Sequence, residues 1–257
     1  MTARTGDAAP VVVITGAGGQ LGNAIAVVLA DHGARLLLTD ISAEGLERCR
    51  ADLGSDVDVA TVTADATDDG APAAVFDEAV ARFGMVDVLV NNAGIEGPID
   101  RLEDLVFEDV RRLFDINVFA MLAFSAEAMR RFRPQGHGRI VNMASGAGTA
   151  GTGLMSAYSA SKHAAVGLTR SLAVEAAGAG IQVNAVCPGC VDSPMMSRIE
   201  ARLGEIEGKP PVSFVSSIPS GSYCSPQEIG ELVGWLALDA PDNINGTTQI
   251  IDGAMRA

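Results

Sequence analysis

The sequence predicts an α/β fold: one doubly wound, parallel seven-stranded sheet with helices on both faces. Three observations predict it. Seven short runs of β-branched and aliphatic residues recur at 11–15, 35–39, 57–62, 86–90, 139–143, 181–186 and 248–251. Longer stretches of helical periodicity lie between them, near 21–32, 43–53, 69–83, 104–133, 156–178 and 226–239. A glycine-rich turn joins the first run to the first helical stretch. Apolar runs without polar alternation are strands buried on both faces, and helices between them are how parallel strands connect.

The elements follow in order. The first run, Val11-Val-Val-Ile-Thr15, enters Thr15-Gly16-Ala17-Gly18-Gly19-Gln20-Leu21-Gly22, and a helix begins at Leu21. Glycines at that place let backbone amides approach a pyrophosphate, whose charge a helix N-terminus favours. The second run leads to Asp40, about 20 residues after the glycines. A carboxylate there accepts hydrogen bonds from a ribose 2′-hydroxyl and repels a 2′-phosphate. Ile41 offers no cation, so the sequence favours NAD over NADP. Asp65-Ala66 follows the third run and Asn91-Asn92-Ala93-Gly94 the fourth. The stretch 104–133 is expected as one extended helix. Helix 156–178 is apolar on more than one face, which suggests a subunit interface with 104–133 as partner. Cys187-Pro188-Gly189-Cys190 ends the sixth run and reads as a strand exit turn, not a redox pair.

One segment breaks the rhythm. Residues 194–225 carry Pro194, Pro210, Pro211 and Pro219 and no strand, with Pro226 just beyond. This long irregular excursion holds Met195, Met196, Ile199, Leu203, Val212, Phe214, Val215 and Ile218. It reads as a lid over an apolar substrate or as a subdomain packed on the sheet. The alternation otherwise continues to the end, so residues 1–257 are expected to form a single domain.

Composition narrows the partners. The net charge of −14 disfavours nucleic acid and anionic membrane. No apolar run approaches the ~20 residues that span a bilayer. Residues 1–10 are small and polar and lack a leader's apolar stretch, so a cytoplasmic protein is expected. Four cysteines are too few for a disulfide scaffold. His32, His137 and His163 are scattered, and no metal is expected.

The chain has only two tyrosines and two lysines, and one of each stands in Tyr158-Ser-Ala-Ser-Lys162. Residues four apart share a helix face. An ammonium beside a phenol is expected to lower a pKa that starts near ~10, fitting the tyrosine for general acid–base work.

Together these residues resemble the short-chain dehydrogenase/reductase family, in its compact subgroup of roughly this length. The resemblance runs from about residue 10 to 253. It implies a Rossmann-like, NAD-binding oxidoreductase that interconverts a secondary alcohol and a ketone; because residues 194–225 carry only Arg198, Arg202 and Lys209 as cations, a small neutral substrate is expected. Gly16 and Gly22 match the cofactor turn. Gln20 replaces its middle glycine; Gly16, Gly19 and Gly22 instead match the spacing of the family's extended members. Gln20 is expected to hydrogen-bond or cover the cofactor. Asp65 and Ala66 match an adenine contact. Asn92, Ala93 and Gly94 match an element bordering the cofactor. Pro188, Gly189, Val191 and Ser193 match contacts near the nicotinamide. Asn117, Ser145, Tyr158 and Lys162 match the catalytic set. By that resemblance Tyr158 is the acid–base, Lys162 tunes it and bonds the nicotinamide ribose, and Ser145 holds the substrate oxygen. The Asn117 main chain holds a relay water. A homotetramer is the family expectation.

Two other functions stay open. One is reduction of a 3-oxoacyl group on a carrier protein, docked by Arg130, Arg131 and Arg133; cations at a helix C-terminus also offset its dipole. The other is a non-catalytic NAD-binding sensor on the same fold.

Overall fold

The computed structural model describes residues 9–257. The reading of residues 1–10 therefore lies, but for the last two, outside the described residues. Seven parallel strands form one sheet: β1 (Val11–Thr15), β2 (Arg35–Asp40), β3 (Val59–Thr63), β4 (Val88–Asn91), β5 (Gly138–Met143), β6 (Ile181–Pro188) and β7 (Thr248–Ile251). Their order is β3-β2-β1-β4-β5-β6-β7. The chain winds outward from β1 to β3, then crosses back to place β4 on the other side of β1. Such a reversal opens a crevice at the carboxyl ends of the two central strands.

Strand alternation divides the core. Val12, Ile14, Leu36, Leu38, Val88 and Val90 point to one face. There they meet Ile25 and Leu29 of α1 (Gln20–Asp31), Leu46 of α2 (Ala43–Leu53), and Ile229 and Val233 of a helix at Pro226–Gly234. Val11, Val13, Leu37 and Leu89 point to the other face. They meet Val75 and Phe76 of α3 (Ala71–Phe83), and Phe124 and Phe132 of a helix at Met121–Gln135. Ala173 of a helix at Ser156–Ala176 completes that layer. Both faces are thus sealed, as parallel strands require.

The expected single helix over 104–133 is interrupted. A short turn at Leu102–Asp104 precedes α4 (Phe107–Phe114), then a π-helical stretch, Asp115–Ala120, then α5 (Met121–Gln135). The extra residue in the π turn carries Asn117, and such bulges recur at functional positions. The arginines at its end have partners. Arg130 and Arg131 pair with Glu127 at 2.8 and 2.7 Å, Arg131 also with Asp77, and Arg133 bonds the Glu175 carbonyl.

Residues 194–225 are not irregular throughout. After α6 (Ser156–Ala176) and β6, α7 occupies Pro194–Glu207. The Ser193 hydroxyl accepts from the Met196 amide at 3.2 Å, Pro194 takes the first helical turn, and Gly208 closes the helix at φ +64°. Proline breaks a helix only where its missing N–H and ring matter, and at the first turn neither does. The capping residues and the i, i+4 spacing of Met195, Ile199 and Leu203 were signals for this helix. α8 (Pro226–Gly234) follows and ends in a second π stretch, Trp235–Asp239.

Candidate active site

The crevice at the carboxyl ends of the strands is a cavity of about 690 Å³. All the residues expected to bind cofactor line it: Gly16, Gly19, Gln20, Leu21, Gly22, Asp40, Ile41, Asp65, Ala66, Asn92, Ala93, Gly94, Tyr158, Lys162, Pro188, Gly189, Val191 and Ser193. Ser145 lines it too. Asn117 does not; it lies directly behind the wall.

One end is built on the glycine turn. Gly16 has φ +66°, where only glycine sits without strain. A methyl built on it would lie 2.7 Å from the Ala93 Cα, and one on Gly22 would lie 2.9 Å from the Asn92 amide nitrogen. The close approach is held by Asn92, whose amide donates to the Thr15 and Gly16 carbonyls at 3.1 and 3.0 Å. The Thr15 hydroxyl accepts from the Asn92 and Ala93 amides in return. Gly19 caps α1 without a side-chain bond, which leaves the helix N-terminus to the cavity. Gln20 is the first helical residue and is exposed on that wall.

Asp40 closes this end. Its carboxylate accepts from the Gly18 amide at 3.0 Å and the Ser42 amide at 2.8 Å. Ile41 beside it is 67% exposed, so no cation covers the position. Asp65 accepts from the Thr67 amide and hydroxyl, which hold its carboxyl below the usual range. The cradle of small residues and the uncapped helix start fit the pyrophosphate of a dinucleotide.

The other end holds the expected catalytic groups. Ser145, after β5, is in extended conformation and accepts from the Ala147 amide. Its hydroxyl lies towards the Tyr158 phenol and acts to lower the phenol's pKa. Tyr158 and Lys162 sit one turn apart on α6, 9% and 5% exposed. The Lys162 Nζ lies 5.7 Å from the Tyr158 ring centre and donates to the Met143 carbonyl at 2.9 Å. The Asn117 carboxamide accepts from the Ile95 amide and donates to the Ile95 carbonyl, both at 2.9 Å. It also reaches Ser161, whose hydroxyl bonds the Tyr158 carbonyl. Asn117 thus ties the loop after β4 to the helix that carries the tyrosine.

The expected lowering of the tyrosine pKa is not what this geometry gives. Burial pushes the Tyr158 phenol up to about 12; the Ser145 hydrogen bond opposes, and Glu96 and Cys187 add to the rise. Burial pulls Lys162 down to about 8, with Cys187 opposing. Burying a cation costs more than burying an amine. The lysine therefore gives up its proton before the tyrosine, and below about pH 8 it remains mainly the ammonium.

Several contacts escaped the sequence. Glu96 pairs with Arg198 of α7 at 2.5 Å, and Asp100 with Arg202 at 2.7 Å. They join the β4–α4 loop to α7 across the cavity mouth. The C-terminal Arg256, which also lines the cavity, lies in no motif. Burial pushes Cys49 and Cys190 up to about 11 and raises Cys187 and Cys224, so these thiols are poor nucleophiles. Among the described residues no cluster of His, Cys, Asp or Glu has the form of a metal site.

Known proteins share this chain's sequence pattern and fold. The family model for short chain dehydrogenases matches residues 10–204. Levodione reductase of Leifsonia aquatica is 38% identical over 251 residues, covering 96% of this chain and 94% of that protein. A crystal structure of levodione reductase superposes with a TM-score of 0.91, at 37% identity, covering 95% of this chain and 96% of that one. NAD⁺-bound xylitol dehydrogenase superposes with a TM-score of 0.91 at 32% identity, covering 94% and 97%. A 3-ketoacyl-(acyl-carrier-protein) reductase from Brucella melitensis, complexed with NADH, gives 0.88 at 28%, covering 96% and 98%.

Proposed function

This chain belongs to the short chain dehydrogenase family of oxidoreductases, and we propose that it interconverts a small secondary alcohol and a ketone with NAD. One observation carries the reading: Ser145, Tyr158 and Lys162 line the same cavity as the glycine turn and Asp40. Gly16, Gly19, Gln20, Leu21, Gly22 and Asp40 would hold the dinucleotide's adenosine and pyrophosphate, and Asn92 to Gly94 with Pro188 to Ser193 its nicotinamide half. When bound, it supplies the ring that takes or gives the hydride. The choice of NAD rests on Asp40 and the bare Ile41; of the related structures, two hold NAD⁺ or NADH and two hold NADPH or NADP.

The chain's own part is orientation and proton movement. Ser145 holds the substrate oxygen and the Tyr158 hydroxyl in one row. During oxidation Tyr158 gives its own phenol proton towards the neutral form of Lys162 and takes the alcohol proton in its place; reduction runs the reverse. Lys162, already short of its usual basicity, is the group through which the pair gains or loses a proton. Asn117 positions Tyr158 through Ser161 and fixes the Ile95 wall. We propose that residues 194–225 act as a lid, since Met195, Met196, Ile199 and Phe214 line the substrate end. Carrier docking has less support, because Arg130, Arg131 and Arg133 are engaged within the chain.

We further propose a cytoplasmic homotetramer. Phe119 at 57%, Leu122 at 40% and Val174 at 81% exposure leave an apolar face on the α5–α6 side that a second copy would cover. Four buried, unpaired cysteines suit a reducing compartment. Among the described residues no helix is long and apolar enough to cross a membrane.

The test is a panel of cyclic and acyclic secondary alcohols with NAD⁺ and NADP⁺, followed by absorbance at 340 nm. NADH formation with several alcohols, faster than NADPH formation, is expected. Complete inactivity over a broad panel with dinucleotide still bound would favour the sensor reading instead.

A further inference from the structure

The cavity contains a cation that neither cofactor binding nor proton transfer uses. Arg256 comes from the turn after β7, and with Met255 it lines the cavity wall. Its guanidinium lies over Gly146, the residue after Ser145. A methyl built on Gly146 would sit 2.8 Å from the Arg256 Nε and 3.3 Å from its Cδ. Glycine at 146 thus leaves the space that the guanidinium fills, beside the row that holds the substrate oxygen.

The guanidinium is poorly satisfied there. It has five N–H donors. One long contact, Nη2 to the Thr152 hydroxyl at 3.4 Å, is its hydrogen bond within the described residues. The Nε is buried and has no acceptor. No carboxylate of the described residues lies within ion-pairing distance, although the chain carries 32 acidic residues. Arg198 and Arg202, on the same side of the site, both have carboxylate partners. A buried donor without an acceptor is costly, and folds rarely keep one without use. Arginine's planar fork suits paired oxygens.

We propose that Arg256 is a substrate-binding residue that receives a second oxygen function of the substrate, a carboxylate above all, on the side of the molecule away from the reacting carbon. The neutral substrate expected from the sequence considered only the cations within 194–225. Arg256 lies outside that segment and gives the substrate end an uncompensated positive group. This inference rests on the alcohol dehydrogenase reading of the site and adds a specificity to it.

The test has a kinetic and a binding arm. Wild type, Arg256→Met and Arg256→Lys are assayed with cyclohexanols substituted at the 4-position by carboxylate, carbonyl or methyl. Wild type is expected to prefer the carboxylate. In Arg256→Met the carboxylate-to-methyl ratio of kcat/KM falls at least tenfold, about 1.4 kcal/mol. Arg256→Lys keeps the charge but not the fork and loses less. A ratio that survives in Arg256→Met overturns the inference. A preference for carbonyl over carboxylate would overturn the anionic form of it.

In the binding arm, cyclohexanecarboxylate is titrated calorimetrically into each protein with NADH present. Wild type is expected to bind it at least tenfold more tightly than Arg256→Met, and equal or absent binding overturns the inference. Carboxylate binding that depends on Arg256, with no turnover of any alcohol, would instead sink the redox reading and leave this one standing. Thermal melts check that each variant is folded.

Discussion

Replacing Lys162 with methionine tests how the buried pair handles its proton. In wild type the first proton leaves Lys162 near 8, while Tyr158 holds its own to about 12. Oxidation needs the pair to have lost a proton, so kcat/KM for the alcohol should rise with pH and level off near pH 8. Ketone reduction should show the opposite slope. Methionine fills similar space and carries no proton, which leaves only the tyrosine to titrate. Burial, Ser145, Glu96 and Cys187 set the Tyr158 value, so removing the lysine does not relieve it. Moving the limb from about 8 to about 12 lowers the reactive fraction at pH 7 on the order of 10⁴-fold. The assay is NADH formation from pH 6 to 10, with NADH titration as a check on the cofactor site. Stability supplies a second readout. The folded Lys162 value is depressed, so its contribution is present above pH ~10.5 and is lost as pH falls through about 8. That loss should vanish in Lys162→Met. A variant whose rate still bends near pH 8 would refute the reasoning.

Two further outcomes follow from the walls of the cavity. A methyl at Gly94 would stand 3.2 Å from the Asn117 oxygen and 3.4 Å from the Lys162 Nζ. Gly94→Ala should cost about 1–3 kcal/mol by overpacking and reduce kcat more than NADH affinity; an unchanged melt and kcat would show that the wall yields freely. Asp40→Ser with Ile41→Arg removes the carboxylate and adds a cation at the ribose end. The NAD⁺ to NADP⁺ ratio of kcat/KM should fall at least ~100-fold, since like charges about 4 Å apart cost up to ~4 kcal/mol near a protein surface. An unmoved ratio would dissociate Asp40 from cofactor choice.

Much of the site was legible because its parts are local in sequence. A glycine turn after a strand, a carboxylate at the next strand's end and a Tyr–Lys pair one helical turn apart each follow from short-range geometry. The sheet was equally legible, since continuous apolar runs admit few pairings once helices separate them. Strand ends were read less well: β6 runs on through Pro188, which pairs with Ile251 where its missing N–H does no harm. α7 was hidden by its prolines, although Ser193 and Pro194 form a helix start. The π turn at Asn117 left no mark in the local pattern, and the bonds Asn117 makes there reach Ile95, 22 positions away. The protonation order of Tyr158 and Lys162 was misread for a related reason. Spacing shows that two groups are neighbours, and only burial decides which stays charged. Arg256 was invisible because it reaches Gly146 from 110 positions away in the chain.

Single-turnover hydride transfer in Tyr158→Phe tests the central claim most directly. The phenol oxygen is the atom assigned to the substrate's proton, and phenylalanine removes it while keeping the ring in its place. With NAD⁺ and an alcohol from the panel, the burst at 340 nm should fall by at least ~10²-fold, within the range general acid–base catalysis supplies, while NADH binds with nearly wild-type affinity. A Tyr158→Phe enzyme that transfers hydride at the wild-type rate would contradict the account.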